Sequence, residues 1–166
     1  MSTPALATPR PSAPPRPPWQ QIFTSVLAST AALGTLVAMG LLTGHELLIP
    51  PMAASMALVA GAPNLPLAQP RNVVGGQVLS ALVGVGVGWI SHSPWAAALA
   101  GALALGVMAA TRTAHSPAAA TAVIGCLATT GHATFVLCAA AASLVLAGAG
   151  WLRSRVGGPQ YPAYWW

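Results

Sequence analysis

The chain has almost no charged residues, and lysine and aspartate are absent. Charged residues make up 4% of its 166 positions, whereas soluble domains typically have about 25%. Glu46 is the only acidic residue, and six arginines give a formal net charge of +5. Because 55% of the residues are hydrophobic, this composition predicts an integral membrane protein whose main partner is the lipid bilayer.

The same scarcity leaves few side chains for catalysis or metal binding. One glutamate and four scattered histidines provide neither a carboxylate pair nor a metal-ligand cluster. Cys126 and Cys138 lie in apolar segments without C-x-x-C spacing, so we interpret both as packing residues. The arginines stand singly at segment ends, a pattern that argues against nucleic-acid binding. We therefore expect no enzyme activity, no cofactor and no metal site.

Apolar segments separated by proline, glycine and polar residues predict an all-α membrane protein. Residues 1–19 are rich in proline and predict a disordered leader. Residues 20–156 predict the transmembrane domain, and residues 157–166 form a short tail. Long apolar segments predict membrane helices over residues 22–43, 73–90, 95–111 and 133–152.

One predicted helix carries glycines suited to close helix packing. Gly84, Gly86 and Gly88 leave it a smooth face, and Gly84 with Gly88 matches the small-xxx-small pattern. We therefore expect another helix to pack closely against this face.

Two shorter apolar segments begin at prolines and resemble each other. Pro51-Met52-Ala53-Ala54-Ser55-Met56-Ala57-Leu58 aligns without gaps with Pro117-Ala118-Ala119-Ala120-Thr121-Ala122-Val123-Ile124. Proline, alanines and a hydroxyl residue fall in register. We therefore predict two pseudo-repeats, about 20–91 and 95–152, each containing one broken half-helix.

Charge distribution distinguishes two topologies. If both half-helices belong to crossing segments, the chain has about six membrane segments, with all arginines on one side and Glu46 on the other. The halves then form an inverted repeat, as in many secondary transporters. The alternative has four spans plus two re-entrant segments and places Arg71 and Arg112 outside. We favour six segments in a bacterial inner (plasma) membrane, with both termini cytoplasmic.

The most unusual stretch runs from Arg112 to Ala122, where an arginine and a histidine interrupt an apolar sequence. Pro117 suits the first position of a helix, and Ser116 suits its N-cap. The small residues that follow would leave backbone N–H groups uncovered, and a helix N-terminus attracts anions. This pattern predicts a binding site for a small anion.

Several polar residues are candidates for this site. Arg112 could supply a countercharge or act as an interfacial anchor. His115 could donate to the anion, accept its accompanying proton or make a structural hydrogen bond. Ser55 and Thr121 could direct hydroxyls at the site or bond back to their own helices. The predicted substrate-binding residues are Arg112, His115, Ser116, Pro117, Thr121, Pro51, Ser55, Gln69 and Arg71.

These residues resemble the HPP family of integral membrane proteins, named for a His-Pro-Pro motif that appears here as His115-Ser116-Pro117. The likeness covers nearly all of residues 20–152 and is most specific over 61–76 and 111–122. Ser116 departs from the family's first proline. The resemblance implies a short form without a CBS region. It also implies nitrite transport, to which plastid members are linked, and a family count of four spans.

The combined interpretation is a membrane transporter of a small inorganic anion, nitrite by resemblance. The substrate would lie near the N-termini of the two half-helices, with proton coupling and a homo-oligomeric assembly as further expectations. A passive anion channel and a non-transporting membrane scaffold or sensor subunit are the alternatives.

Overall fold

A computed structural model describes residue 13 and residues 15–165. The predicted leader over residues 1–19 therefore lies mostly outside the described residues. Within the described part the protein is all-helical, with one 3₁₀ turn at Pro66–Ala68 and no strand. The α-helices are α1 (Trp19–Thr43), α2 (Pro50–Gly61), α3 (Pro70–Gly88), α4 (Pro94–Ala110), α5 (Ala118–Leu127) and α6 (His132–Arg155).

Proline sets the first residue of three helices. Pro50, Pro70 and Pro94 begin α2, α3 and α4, where the missing N–H of proline has no intrahelical partner to lose. Ser93 also caps α4, since its side chain accepts a hydrogen bond from the Ala96 N–H. As a result, α3 begins three residues earlier than the apolar pattern alone predicts.

The start of α5 differs slightly from the prediction. Pro117 has helical angles, φ −60° and ψ −26°, but it is the N-cap, and the helix begins at Ala118. A one-residue difference lies within the usual uncertainty of helix ends. The predicted cap at Ser116 is wrong, however, because no side chain caps this helix.

The helices differ in length, and α3 and α4, with 19 and 17 residues, lie between the longest and the shortest. The 25 residues of α1 and the 24 residues of α6 are long and apolar enough to cross a membrane. With 12 and 10 residues, α2 and α5 extend only about 18 and 15 Å at 1.5 Å per residue. Each is about half of a ~30 Å hydrocarbon core.

The helices pack in a pattern that is repeated between the two halves. α1 packs on α2 as α4 packs on α5, and α6 packs on α1 and α2 as α3 packs on α4 and α5. Exchanging α1 with α4, α2 with α5 and α3 with α6 therefore preserves these pairings. The central contacts of the pattern are α3 with α6 and α2 with α5.

Close contact between α3 and α5 depends on glycine. A Cβ on Gly88 would lie 2.9 Å from the backbone oxygen of Cys126, and one on Gly84 would overlap the backbone of Ala122. Gly86 faces open space. The predicted small-xxx-small contact is therefore confirmed for Gly84 and Gly88, and α5 is the helix that packs there.

A buried arginine joins α6 to the first two helices. Arg153, in the last turn of α6, donates from Nη1 to the Ala60 carbonyl at 2.7 Å and from Nη2 to the Ser25 hydroxyl at 2.8 Å. The ends of α6 and α2 therefore meet the beginning of α1.

The same end of the molecule includes the start of α3 and the end of α4. Arg71 donates from Nη2 to the Thr111 carbonyl at 3.1 Å. The C-terminal tail reaches this region, since the Ala163 N–H donates to Oε1 of Gln69 at 2.8 Å. We call it the arginine end, and its described arginines are Arg16, Arg71, Arg112, Arg153 and Arg155.

The other ends of four helices meet around two histidines. Trp89, just after α3, donates from Nε1 to Nδ1 of His132 at 3.3 Å. His92, just before α4, donates from Nε2 to the Ala128 carbonyl after α5 at 3.1 Å. We call this region the histidine end, and it is separated from the arginine end by the length of α3.

Candidate functional site

Four buried polar side chains form one hydrogen-bonded group between α2, α3, α5 and the segment before α5. Each is at most 1% exposed. Polar groups taken out of water are costly unless they are hydrogen-bonded. Four of them together in an apolar protein therefore indicate a candidate functional site. We call it the polar cluster, and it consists of Ser55, Gln77, His115 and Thr121.

Gln77 bridges α2 and α5. Its Nε2 donates to the Ser55 hydroxyl of α2 at 2.9 Å, and its Oε1 accepts from the Thr121 hydroxyl of α5 at 2.5 Å. Ser55 and Thr121 occupy equivalent positions in the two aligned segments. One amide of α3 therefore holds the corresponding hydroxyls of both halves.

His115 extends the cluster and its tautomer follows from its partners. Nδ1 lies 2.7 Å from the Leu67 carbonyl, which can only accept, so Nδ1 carries a hydrogen. Nε2 lies 2.7 Å from the Ser55 hydroxyl. In the neutral ring Nε2 therefore accepts from Ser55.

The same geometry can hold a second proton on the ring. In the imidazolium form Nε2 donates to the Ser55 oxygen, and the Ser55 hydroxyl turns to the Pro51 carbonyl, 2.8 Å away. Both ring N–H groups and the hydroxyl then have acceptors. The cluster can thus accept a proton on His115 without leaving a donor unpaired.

The end of α4 directs the chain back toward the cluster. The N–H groups of Arg112 and Thr113 donate to the carbonyls of Ala109 and Met108 at 3.2 and 2.9 Å. This is a Schellman motif, in which the residue after the cap has a left-handed conformation, and Arg112 has φ 57°. Asn72 then holds the next residue, since its Nδ2 donates to the Ala114 carbonyl at 2.8 Å.

Two glycines of α3 give this returning segment its room. A Cβ on Gly76 would lie 2.7 Å from Cβ of His115, and one on Gly75 would lie 2.9 Å from Cγ2 of Thr113. Side chains at these positions would push the segment away from α3. The glycine pair therefore allows His115 to reach Ser55.

The structure brings His115, Ser55 and Thr121 together among the predicted site residues. Pro51 contributes its carbonyl next to Ser55. The Ser55 hydroxyl lies within hydrogen-bond distance of both His115 and the Pro51 carbonyl of its own helix, and its single hydrogen can serve one of these two acceptors at a time.

Other predicted residues lie outside the cluster. Arg112 and Ser116 are exposed, and Pro117 is half-buried at the N-cap of α5. Arg71 binds the Thr111 carbonyl at the arginine end. Gln69 is fully buried but engages its own loop and the C-terminal tail. The structure therefore gives it a tethering role.

The first backbone N–H groups of α5 have local acceptors. Those of Ala118, Ala119 and Ala120 donate to the carbonyls three residues earlier at 2.9, 3.3 and 3.2 Å. Such 3₁₀-type bonds are a common way to satisfy a helix start. An anion at this helix start would have to compete with these bonds.

Sequence reasoning did not identify Gln77, Asn72 or Gly76. An amide inside an otherwise apolar helix was an available signal, because such a group requires a buried partner. The partner itself could not be read from the sequence. For Gly76 the only signal was its place in the Gly75-Gly76 pair.

Comparison with known proteins adds the family. The chain matches the family description "HPP, transmembrane region" over residues 14–162. It is 31% identical to one Dictyostelium discoideum protein over 97% of this chain and 36% identical to another over 69%. Both are named only as transmembrane proteins, and the matches span 61% and 40% of their lengths.

No solved structure matches this chain. The family match over residues 14–162 includes the whole of the polar cluster, α2 and α5. The chain therefore belongs to the HPP family of integral membrane proteins.

Proposed function

We propose that this protein is a membrane transporter for a small inorganic anion, and that the polar cluster is its binding site. The cluster offers hydroxyl, amide and imidazole donors, and it contains no carboxylate that would repel an anion. Nitrite is the first candidate because of the family resemblance. Glu46, the only acidic residue of the sequence, lies beyond the end of α1 and is exposed.

The observation that carries this proposal is the bridge from Ser55 through Gln77 to Thr121. Apolar side chains would pack these helices without the desolvation cost of three buried polar groups. A bound anion could accept hydrogen bonds from the Gln77 amide, both hydroxyls and a protonated His115. It would replace the contacts within the cluster without leaving those donors unpaired.

The helix directions support an inverted repeat with six membrane segments. α2 ends at the arginine end, where Arg153 binds Ala60, whereas α5 ends at the histidine end, where His92 binds Ala128. The two half-helices thus run in opposite directions. At 1.5 Å per residue α1 is about 37 Å long, and its first residue lies at the arginine end. Glu46 follows the last residue of α1 and therefore lies on the opposite side. This arrangement agrees with a positive-inside orientation in which the arginine end is cytoplasmic.

In the proposed mechanism α1, α2 and α6 move together relative to α3, α4 and α5, since the helices of each group pack on one another. Gln77 lies on α3 and contacts Ser55 of α2, so this movement would break or remake the Ser55 bond. Alternating exposure at a site between repeats is the usual plan for inverted-repeat transporters. Protonation of His115 would then accompany anion binding.

Uptake of nitrite into proteoliposomes tests this function. The purified protein is assayed with and without an imposed pH gradient, beside His115→Gln and Thr121→Val. Thr43→Val is the matched control, because the Thr43 hydroxyl bonds only to its own helix and is exposed. His115→Gln keeps a neutral hydrogen-bonding side chain but removes the titratable ring.

The expected result is saturable uptake that the gradient increases. Thr121→Val should slow it about tenfold, as for loss of one transport-specific hydrogen bond worth ~1.4 kcal/mol. His115→Gln should abolish the response to the gradient, whereas Thr43→Val should behave as the wild type. Non-saturable uptake would favour a passive channel. Absence of uptake for nitrite, nitrate, formate and bicarbonate would overturn transport and favour a scaffold or sensor subunit.

A further inference from the structure

A long apolar groove lies between α1 and α6, away from the polar cluster. Its volume is about 520 Å³, within the range of about 300–1,000 Å³ typical of small-molecule sites. The walls are mostly small or aliphatic side chains, including Leu27, Ala31, Val145 and Ala149. Such a surface suits a hydrocarbon chain.

The groove begins at Arg153. This side chain is 8% exposed, and it lines the groove together with Thr24 and Leu152. Its described acceptors are all neutral: the Ala60 carbonyl and the hydroxyls of Thr24 and Ser25. Its Nε is buried and has no hydrogen-bond partner among the described residues.

The cation of Arg153 therefore lacks a compensating charge among the described side chains. Glu46, the only acidic side chain in the sequence, follows the opposite end of α1. A buried charge is costly unless an opposite charge or a strong hydrogen-bond network accompanies it. A phosphate beside Arg153 would supply both charge and acceptor oxygens.

The length of the groove matches one leaflet of a bilayer. Its lining on α1 runs from Thr24 to Thr35, about 16 Å at 1.5 Å per residue. A ~30 Å hydrocarbon core has leaflets of about half that thickness. The groove therefore extends from the arginine end to about the middle of the membrane.

Aromatic residues mark the headgroup level at the same end. Arg16 lies 4.4 Å from the ring centre of Trp19, and Arg155 lies 5.2 Å from that of Trp151. Tryptophan and arginine are both common at the boundary between lipid tails and headgroups. Trp19 begins α1, and Trp151 lies two residues before Arg153.

We propose that the groove between α1 and α6 binds one anionic phospholipid, with its phosphate beside Arg153 and one acyl chain along Leu27, Ala31 and Ala149. The charge of Arg153 selects an anionic headgroup, and the apolar walls hold the chain. This lipid joins the ends of α1, α2 and α6, so its binding stabilises the packing of these three helices. Lipid binding in this groove does not depend on which substrate the protein transports.

Native mass spectrometry of the purified, delipidated protein tests the site. Phosphatidylglycerol and phosphatidylcholine with identical acyl chains are added separately, and the fraction of protein carrying one lipid is measured. One buried arginine predicts a preference for phosphatidylglycerol of at least about fivefold, since a basic residue near a membrane surface is worth ~1 kcal/mol.

Gly148→Leu tests the groove without touching Arg153. A Cβ at Gly148 meets nothing within 4 Å, and the residue lines the groove, so leucine fills the space without a clash. Gly106→Leu is the matched control, because Gly106 on α4 is equally open but does not line the groove. We expect phosphatidylglycerol binding to fall at least about fivefold in Gly148→Leu and to stay unchanged in Gly106→Leu.

A third variant tests the headgroup. Arg153→Gln should bring the ratio of phosphatidylglycerol binding to phosphatidylcholine binding close to one. If Arg153→Gln does not fold, Gly148→Leu still tests the groove, because it leaves Arg153 in place. Equal binding of both lipids by the wild type would overturn the proposal, as would unchanged binding in Gly148→Leu. A specific disulfide-linked dimer through Gly148→Cys would also overturn it, since a second copy of the chain would then occupy the groove.

Discussion

Replacing Gln77 by leucine should destabilise the protein by about 2–3 kcal/mol. The change removes two buried hydrogen bonds, each worth about 0.5–1.5 kcal/mol in proteins and about 0.6 kcal/mol on average in a membrane protein. Ser55 keeps His115 and the Pro51 carbonyl as partners. Thr121 loses the partner of its side chain, and an unpaired buried hydroxyl costs about 1–3 kcal/mol.

A double-mutant cycle isolates the bond between Gln77 and Thr121. Thr121→Val keeps the shape of the side chain and should cost about 1 kcal/mol, because Oε1 of Gln77 loses its partner. In the double variant neither group is left unpaired. Its free energy of unfolding should therefore fall by about 1 kcal/mol less than the sum of the two single changes.

The assay is reversible unfolding in mixed detergent micelles, followed by circular dichroism. Thr43→Val combined with Gln77→Leu provides the control cycle, because Thr43 bonds only to the Met39 carbonyl of its own helix. These two changes should add to within about 0.5 kcal/mol. If the cycle with Thr121 is equally additive, the bond between Gln77 and Thr121 contributes nothing to stability and the prediction is wrong.

Further substitutions test the packing and the returning segment. Gly84→Leu should destabilise by at least about 3 kcal/mol in the same assay, because Gly84 lies against the α5 backbone. Gly86→Leu should cost less than about 0.5 kcal/mol, because Gly86 faces open space. Gly76→Ala should displace His115 and reduce the rate of nitrite uptake several-fold in protein that is still folded. A loss of uptake that is fully explained by a loss of folded protein would contradict this positioning role. Arg112→Gly should leave stability within about 1 kcal/mol of the wild type, since glycine readily adopts its left-handed conformation, and a large loss would show an unrecognised contact.

Much of the architecture could be predicted because it depends on composition and local sequence. The lack of charge predicted a membrane protein, and the family confirms it. Pro117 was placed within one residue of a helix start, because the fixed φ of proline is a local property. Gly84 and Gly88 predicted a close helix contact because the lack of a side chain is also a local property.

The candidate site could be predicted only in part. The alignment of the two short segments paired Ser55 with Thr121, and the structure places both hydroxyls on one amide. Arg112 and Ser116 were chosen from their neighbourhood in sequence, but the turn after α4 leaves both exposed. Their orientation follows from the Schellman motif, which apolar periodicity does not reveal.

The sequence by itself determined the membrane class, helix starts within one residue of Pro51 and Pro117, and the alignment of these two short segments. Only the tertiary structure decided that Gln77 would join them and that Gln69, equally polar, would hold a loop and the C-terminal tail. It also decided that Arg153 would be buried beside an apolar groove. Local patterns report backbone preference and burial, whereas the partner of a buried polar group depends on which distant segments the packing brings within about 3 Å.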